Sequence, residues 1–339
     1  MDSDLTGPLI SLVMPVYNTA SYLREAIESI LTQTYRNFEF LIYNDGSTDG
    51  SAEIIRSYSD ERIRFTDSPV NRGYMHWINR ALQDCKGSLI ARMDSDDVAQ
   101  PARLEQQVRV FERFPETGVC GAWVQPFSEK GRQAAWRYNS EDSRIKTDFL
   151  FSNPIANPTM MVRRNLLEQY DLSYQQDFFP AEDYHMWYQL HNKTNFYNIP
   201  QVLLYYRLHP QQTSYLADRR LHATGEVLKL FWTASGLTTG VDLQDFERYV
   251  LGPWQTSEAF LMGSGSLLRR LLEANQRTHR FGERYFSHRL GLLFWRQCYF
   301  ATGRSCNGPA VFARFMGDSA FRPALKDRVK AQLRKYRND

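Results

Sequence analysis

The first hundred residues alternate two kinds of hydrophobic pattern. Short, nearly unbroken apolar runs read as strands buried on both faces. Between them lie stretches whose apolar residues recur every three or four positions, the signature of a helix with one buried face. Leu9 to Met14 is a run of the first kind, stopped by Pro15. Leu23, Ala26, Ile27, Ile30 and Leu31 then mark a helix through about Gln33, with Thr19 or Ser21 available as its cap. Phe38 to Tyr43 is a second strand, closed by the Asn-Asp-Gly turn at 44–46. A helix over Ser51 to Tyr58, a strand over Ile63 to Thr66, a helix over Tyr74 to Cys85 and a strand over Ser88 to Met93 follow. This order predicts an α/β fold, Rossmann-like, with a mostly parallel sheet flanked by helices.

Beyond Pro101 a helix is expected to about Phe114, with proline at its start where a missing N–H costs little. Residues 119–180 read as mixed and loop-rich, with Asn-Pro steps at 153–154 and 157–158. A helix begins near Glu182, and Val202 to Arg207 is a late strand. From about Ser214 strand signals give way to helix-like segments such as 218–234 and 255–275. The expected layout is therefore a domain over 1–214, in halves of about 1–100 and 101–214, and a mainly helical region over 215–339.

Composition narrows the class without naming it. In 339 residues, 42% hydrophobic and 23% charged fit a globular chain, and a net charge of +3 gives no reason to expect nucleic acid as a partner. Cys85, Cys120, Cys298 and Cys306 form no CxxC pair, which points to reduced thiols and a cytoplasmic placement. The start of the chain lacks the layout of a signal peptide, and no run approaches the ~18 apolar residues of a spanning helix. Any membrane contact is therefore expected to be peripheral. Candidates for it are the Arg- and aromatic-rich stretch 283–300 and the basic end from Arg322 to Arg337, against the plainer reading of a packed helical domain with a solvated end.

The chemistry-bearing segments cluster where predicted strands end, the place at which parallel sheets deliver ligand loops. Asp94-Ser95-Asp96-Asp97 follows the strand ending at Met93. Two carboxylates at i and i+2 suit a hard cation such as Mg²⁺ or Mn²⁺, but they could equally cap the next helix. Asp45 could accept the imide N–H of a uracil, or simply belong to a polar turn. Tyr17 could stack on a base or pack. Glu182 and Asp183 open a helix, where acids often serve only the helix dipole; the sharper reading makes Asp183 a general base. His209, alone in Tyr206-Arg-Leu-His-Pro, is a weaker ligand candidate.

Taken in order, eight segments resemble the large family 2 of glycosyltransferases with the GT-A fold. They are MPVYN at 14–18, NDGSTDGS at 44–51, NRG at 71–73, MDSDD at 93–97, PARLEQQ at 101–107, NPTMMVRR at 157–164, AEDYHMWYQL at 181–190 and YRLHPQQTS at 206–214. The resemblance implies a metal-dependent, inverting transfer from a nucleoside-diphosphate sugar to a hydroxyl of a glycan or lipid-linked glycan. It places Pro15, Tyr17 and Asp45 at the nucleoside, Arg72, Asp94 and Ser95 on the donor, and Asp96 and His209 at Mn²⁺ or Mg²⁺. Asp183 would deprotonate the acceptor, with Glu182 shaping its site. Two departures stand out: Trp77-Ile78-Asn79 replaces a common Ala-Arg-Asn step, and Asn157 stands where His is common.

Rival readings are weaker. A sugar-nucleotide pyrophosphorylase would want a glycine-rich, basic loop where Pro15-Val-Tyr-Asn stands, and a dehydrogenase would want GxGxxG there. A non-catalytic carbohydrate-binding protein on the same fold would not need Asp94, Asp96, Asp183 and His209 together.

Overall fold

A computed structural model describes residues 7–210, 212, 217–239, 241–252, 254–302 and 308–317. Its strands are β1 (Ile10–Val16), β2 (Phe38–Asp45), β3 (Ile63–Ser68), β4 (Leu89–Arg92), β5 (Val98–Ala99), β6 (Thr117–Ser128), β7 (Gly131–Arg132), β8 (Met161–Arg163) and β9 (Asn195–Arg207). The helices among and after them are α1 (Ala20–Leu31), α2 (Ser51–Arg56), α3 (Tyr74–Asp84), α4 (Arg103–Arg113), α5 (Asp142–Asp148), α6 (Arg164–Gln169) and α7 (Glu182–Leu190). They continue with α8 (Ala217–Ser235), α9 (Leu243–Phe246), α10 (Glu258–Thr278), α11 (Glu283–Ala301) and α12 (Gly308–Gly317).

Among the described residues one sheet runs in the order β3-β2-β1-β4-β8-β6-β9-β5, with β7 paired to β6. The first four strands are parallel, as the alternating pattern predicts. β8 then runs antiparallel between β4 and β6, and β5 antiparallel to β9, so the second half of the sheet is mixed. β1 and β2 bury nearly every side chain, which is why both read as continuous apolar runs. Leu23, Ala26, Ile27 and Ile30 of α1 and Leu104, Val108 and Phe111 of α4 pack into the core beneath the sheet.

The stretch expected to be loop-rich holds β6, twelve residues long and central in the sheet. Gly118, Gly121 and Pro126 hide it by breaking the β-branched pattern. Gly121 is there for space, since a Cβ would meet Asn198 Oδ1 at 2.4 Å. β9 likewise extends seven residues upstream of the Val202–Arg207 run, across Pro200, with register shifts against β6.

The chain forms two compact units, residues 1–146 with 153–227 and residues 147–152 with 228–339. The boundary expected at 214/215 falls outside the described residues. In the second unit Trp232 is fully buried and donates its indole N–H to the Leu150 carbonyl at 2.6 Å, and Phe149 stacks on Phe231 at 4.9 Å. The aromatic stretch 283–300 forms α11, which turns Phe286, Phe294 and Trp295 inward; its hydrophobic face is core. The basic end from Arg322 and Cys306 lie outside the described residues, while Cys85 and Cys120 are buried free thiols and Cys298 is buried. No described helix is long and apolar enough to cross a membrane.

Candidate active site

The carboxyl ends of β1, β2 and β4 open on one side of the sheet onto a cleft of about 690 Å³ in the first unit. The loops after β1 and β2 are tied together across it. The Asn18 side-chain oxygen accepts from Thr48 N at 2.8 Å, and Asp49 Oδ2 accepts from Ala20 N at 2.9 Å. These bonds fix the rim on which Pro15 and the half-exposed Tyr17 sit.

Asp45, the last residue of β2, is almost fully buried and is held by three donors. Its Oδ1 accepts from Arg72 N and Trp77 Nε1, both at 2.6 Å, and its Oδ2 from Gly73 N at 2.9 Å. A carboxylate has about four acceptor positions, so one remains. Arg72 thus contributes its backbone; its side chain is exposed and does not line the cleft. Trp77, noted from sequence as a departure, is the part that the motifs did not reveal: it stacks on Tyr43 at 5.3 Å and orients the acid. Trp77→Phe keeps the stack and removes the indole donor. We expect it to weaken nucleotide binding roughly tenfold, the worth of one charge-assisted hydrogen bond, by calorimetric titration.

The Asp94–Asp97 turn after β4 places four side chains differently. Ser95 Oγ accepts from Thr19 Oγ1 at 3.0 Å. Asp94 pairs with Arg92 at 3.0 Å, and the Arg92 guanidinium lies over the Tyr74 ring at 5.1 Å. Asp96 Oδ2 lies 2.8 Å from His209 Nε2, and His209 Nδ1 is buried without a hydrogen-bond partner. Burial, then the neighbouring Asp94 charge, raises the Asp96 carboxyl above its ordinary range, with His209 pulling it back. Asp97 is turned inward to accept from Arg207 N at 2.9 Å. Burial and its two acidic neighbours hold its pKa well above normal. None of these acids caps the following helix, since the N-cap of α4 is Ala102 and no side chain caps it. Beneath the turn Arg103, fully buried, donates to the Arg92 carbonyl at 2.6 Å; burial brings its pKa down to about 10. Among the described residues no three His, Cys, Asp or Glu side chains converge as a ready-made metal cage.

The first turn of α7 supplies the other wall. Asp183 Oδ2 accepts from the Asn153 amide at 2.8 Å, and its Oδ1 from Tyr184 N at 2.7 Å. Burial and the adjacent Glu182 push its pKa up to about 7. Glu182, buried, accepts from the Tyr74 hydroxyl and leaves its second oxygen without a partner. The cleft thus gathers Pro15, Tyr17, Asp45, Asp94, Ser95, Asp96, Glu182, Asp183 and His209. Asn153 had no signal beyond an Asn-Pro step, and Tyr74 read only as the start of a helix.

An acid with a near-neutral pKa faces the same volume as an Asp-x-Asp turn. The profile of Glycosyl transferase family 2 matches residues 11–171. An uncharacterized glycosyltransferase of Haemophilus influenzae is 33% identical over 233 residues, 66% of this chain and 72% of that one. The chain is a family 2 glycosyltransferase. The O-antigen biosynthesis glycosyltransferase WbnJ of Escherichia coli is also similar, at 30% identity over 60% of the enzyme and 82% of the relative. The fold is shared with Staphylococcus aureus TarS, residues 1–349, crystallised with UDP-GlcNAc, at 16% identity and a TM-score of 0.55 over 90% and 91% of the two chains. The mannosyltransferase PcManGT of Pyrobaculum calidifontis, solved with GDP-Man and Mn²⁺, has a TM-score of 0.50 at 16% identity, over 82% and 88%. The enzyme therefore has a GT-A sheet with a helical C-terminal region.

Proposed function

We propose that the enzyme transfers a hexose or N-acetylhexosamine from a UDP-sugar, with inversion, to a hydroxyl of a glycan or lipid-linked glycan of a bacterial surface polysaccharide. The observation that carries this reading is Asp183, with its pKa near 7, on the same cleft as Asp94, Asp96 and His209. A base poised near the working pH removes the acceptor proton most effectively as the new bond forms. Asn153 and Tyr184 N orient its carboxylate toward that proton. The uracil imide N–H takes the remaining acceptor position of Asp45, Tyr17 and Pro15 flank the base, and the Arg72–Gly73 backbone holds Asp45 in place. Asp94 and Ser95 face the donor, and Glu182 shapes the acceptor side.

The residues fit a divalent ion at Asp96 and His209. Neighbouring ligands of a six-coordinate ion with bonds near 2.1 Å are about 3 Å apart, close to the 2.8 Å that separates Asp96 Oδ2 from His209 Nε2. Asp94 has the Arg92 guanidinium beside it, whereas Asp96 is buried next to Asp94 with only His209 as a partner, and burial followed by the Asp94 charge raises its pKa. When bound, Mn²⁺ or Mg²⁺ would neutralise charge developing on the diphosphate leaving group.

The support from relatives is their own chemistry: O-antigen biosynthesis in WbnJ, UDP-GlcNAc in TarS, and GDP-Man with Mn²⁺ in PcManGT. A thermal-shift screen of nucleotide sugars tests the donor. UDP-sugars with Mn²⁺ should raise the melting temperature by several degrees at ligand about 100-fold above Kd. Chelation should abolish the shift. A larger shift with GDP-mannose, or equal shifts with and without metal, would overturn the assignment.

A further inference from the structure

Trp136 is a large apolar side chain left 43% exposed at the cleft, although its backbone is held firmly. Trp136 N donates to the Val124 carbonyl at 2.7 Å, and Val124 N donates to the Trp136 carbonyl at 3.2 Å. On either side, Gln133 N donates to Pro126 O at 2.9 Å and Trp123 Nε1 to Tyr138 O at 2.8 Å. Asn198 Nδ2 closes the segment by donating to Asn139 O at 3.0 Å. These bonds hold the backbone of the loop to β6 and β9. The ring leans on Tyr206 at 5.2 Å, tilted by 44°, so one part of it is supported and the rest is open.

Two residues on, Tyr138 also lines the cleft. It is close enough to Asp183 and Arg220 for their charges to act on its hydroxyl, and burial pushes its pKa up to about 12, so it stays a hydrogen-bond donor. The exposed ring and the Tyr138 hydroxyl therefore line the same cleft as Asp183. A fixed aromatic surface beside hydroxyl and guanidinium donors suits one ligand class well. A pyranose offers an apolar C–H face for the ring and equatorial hydroxyls for the polar groups.

We infer that Trp136, backed by Tyr206, is an acceptor subsite that stacks a pyranose ring of the acceptor glycan and so sets which sugar is extended. This deepens the reading of Asp183 as the acceptor-side base and rests on it. The subsite makes the acceptor a saccharide rather than a bare lipid or amino-acid hydroxyl.

Saturation-transfer NMR on the full chain tests this, with a panel of methyl hexopyranosides and their disaccharides in the presence of UDP and Mn²⁺. Wild type should show transfer concentrated on the C–H protons of one sugar face. Trp136→Ala should weaken saccharide binding about tenfold, the effect of ~1.4 kcal/mol of stacking, and Trp136→Phe should retain most of it. UDP affinity, measured in parallel by calorimetry, should be the same in all three proteins, which a merely structural role for Trp136 would not leave unmoved. Saccharide binding that is unchanged in Trp136→Ala, absent from wild type, or lost together with UDP affinity would overturn the subsite. Failure of UDP to bind wild type would instead strike the donor assignment, leaving the saccharide comparison readable.

Discussion

Asp183→Asn should abolish sugar transfer, by about 10²–10⁴-fold in kcat, while nucleotide binding stays at its wild-type level. The amide keeps the size of the side chain, and its single oxygen can still accept from either Asn153 or Tyr184 N, so the variant gives up one of the two bonds that hold the carboxylate. What it loses is the ability to take a proton. Single-turnover transfer and calorimetric titration with UDP and Mn²⁺ separate the two effects. Near wild-type transfer would remove Asp183 from the chemistry; loss of UDP binding would make it a structural residue.

The same substitution has a signature in pH. With a carboxyl near 7, wild-type kcat/KM should rise about tenfold per pH unit below that value and level off above it. The linkage to stability runs the other way. An acid whose pKa is raised on folding favours the fold fully below its unfolded pKa near 4, and that contribution is lost as pH rises through 7. Asn carries no such dependence. Asp183→Asn should therefore melt several degrees above wild type at pH 8 and together with it near pH 4. Higher stability with no turnover would identify the buried charge as one the fold tolerates for its chemistry.

The legibility of this enzyme in its sequence follows from how its parts are built. The parallel half of the sheet was readable because β1 and β2 are buried on both faces, which leaves no polar alternation to confuse the pattern. β6 was not, because its place at the centre of the mixed half required Gly118 and Gly121, where neighbouring side chains come too close for a Cβ. Strand propensity is weakest where packing demands are greatest. The site divides in the same way. Acids on tight turns at strand ends announce themselves by spacing, and Asp45, Asp94 and Asp96, picked out in that way, line one cleft with Asp183 from the first turn of α7. Their supports come from distant segments through tertiary contact: Trp77 orients Asp45 across 32 residues and Asn153 holds Asp183 across 30. Nothing local in the chain records such pairings. Arg72 shows the converse, since its charge drew attention while its backbone N–H makes the contact.

Asp96→Asn should sever nucleotide binding from metal. In wild type Asp94 is paired with Arg92, while the Asp96 carboxyl is buried beside it with His209 as its partner, so one carboxylate of the two lacks a fixed cation. The buried Asp96 charge is costly unless a proton or a further cation offsets it. At neutral pH with Mn²⁺ present, the cation provides that offset, and its affinity should depend steeply on the full charge of Asp96. Asn retains a hydrogen bond to His209 but removes the Asp96 charge and is a poor ligand for a hard ion. Mn²⁺-dependent UDP affinity should fall by about 10–100-fold, and transfer should fall by a further 10²–10³-fold as charge on the leaving diphosphate goes unanswered. Without metal the variant should melt at or above the wild-type temperature, because the repulsion with Asp94 is gone, and Mn²⁺ with UDP should no longer raise it. That combination separates loss of an ion ligand from loss of the fold. A variant that still gained several degrees from Mn²⁺ and UDP would place the ion elsewhere on the cleft, and Asp96 would then serve only to fix His209.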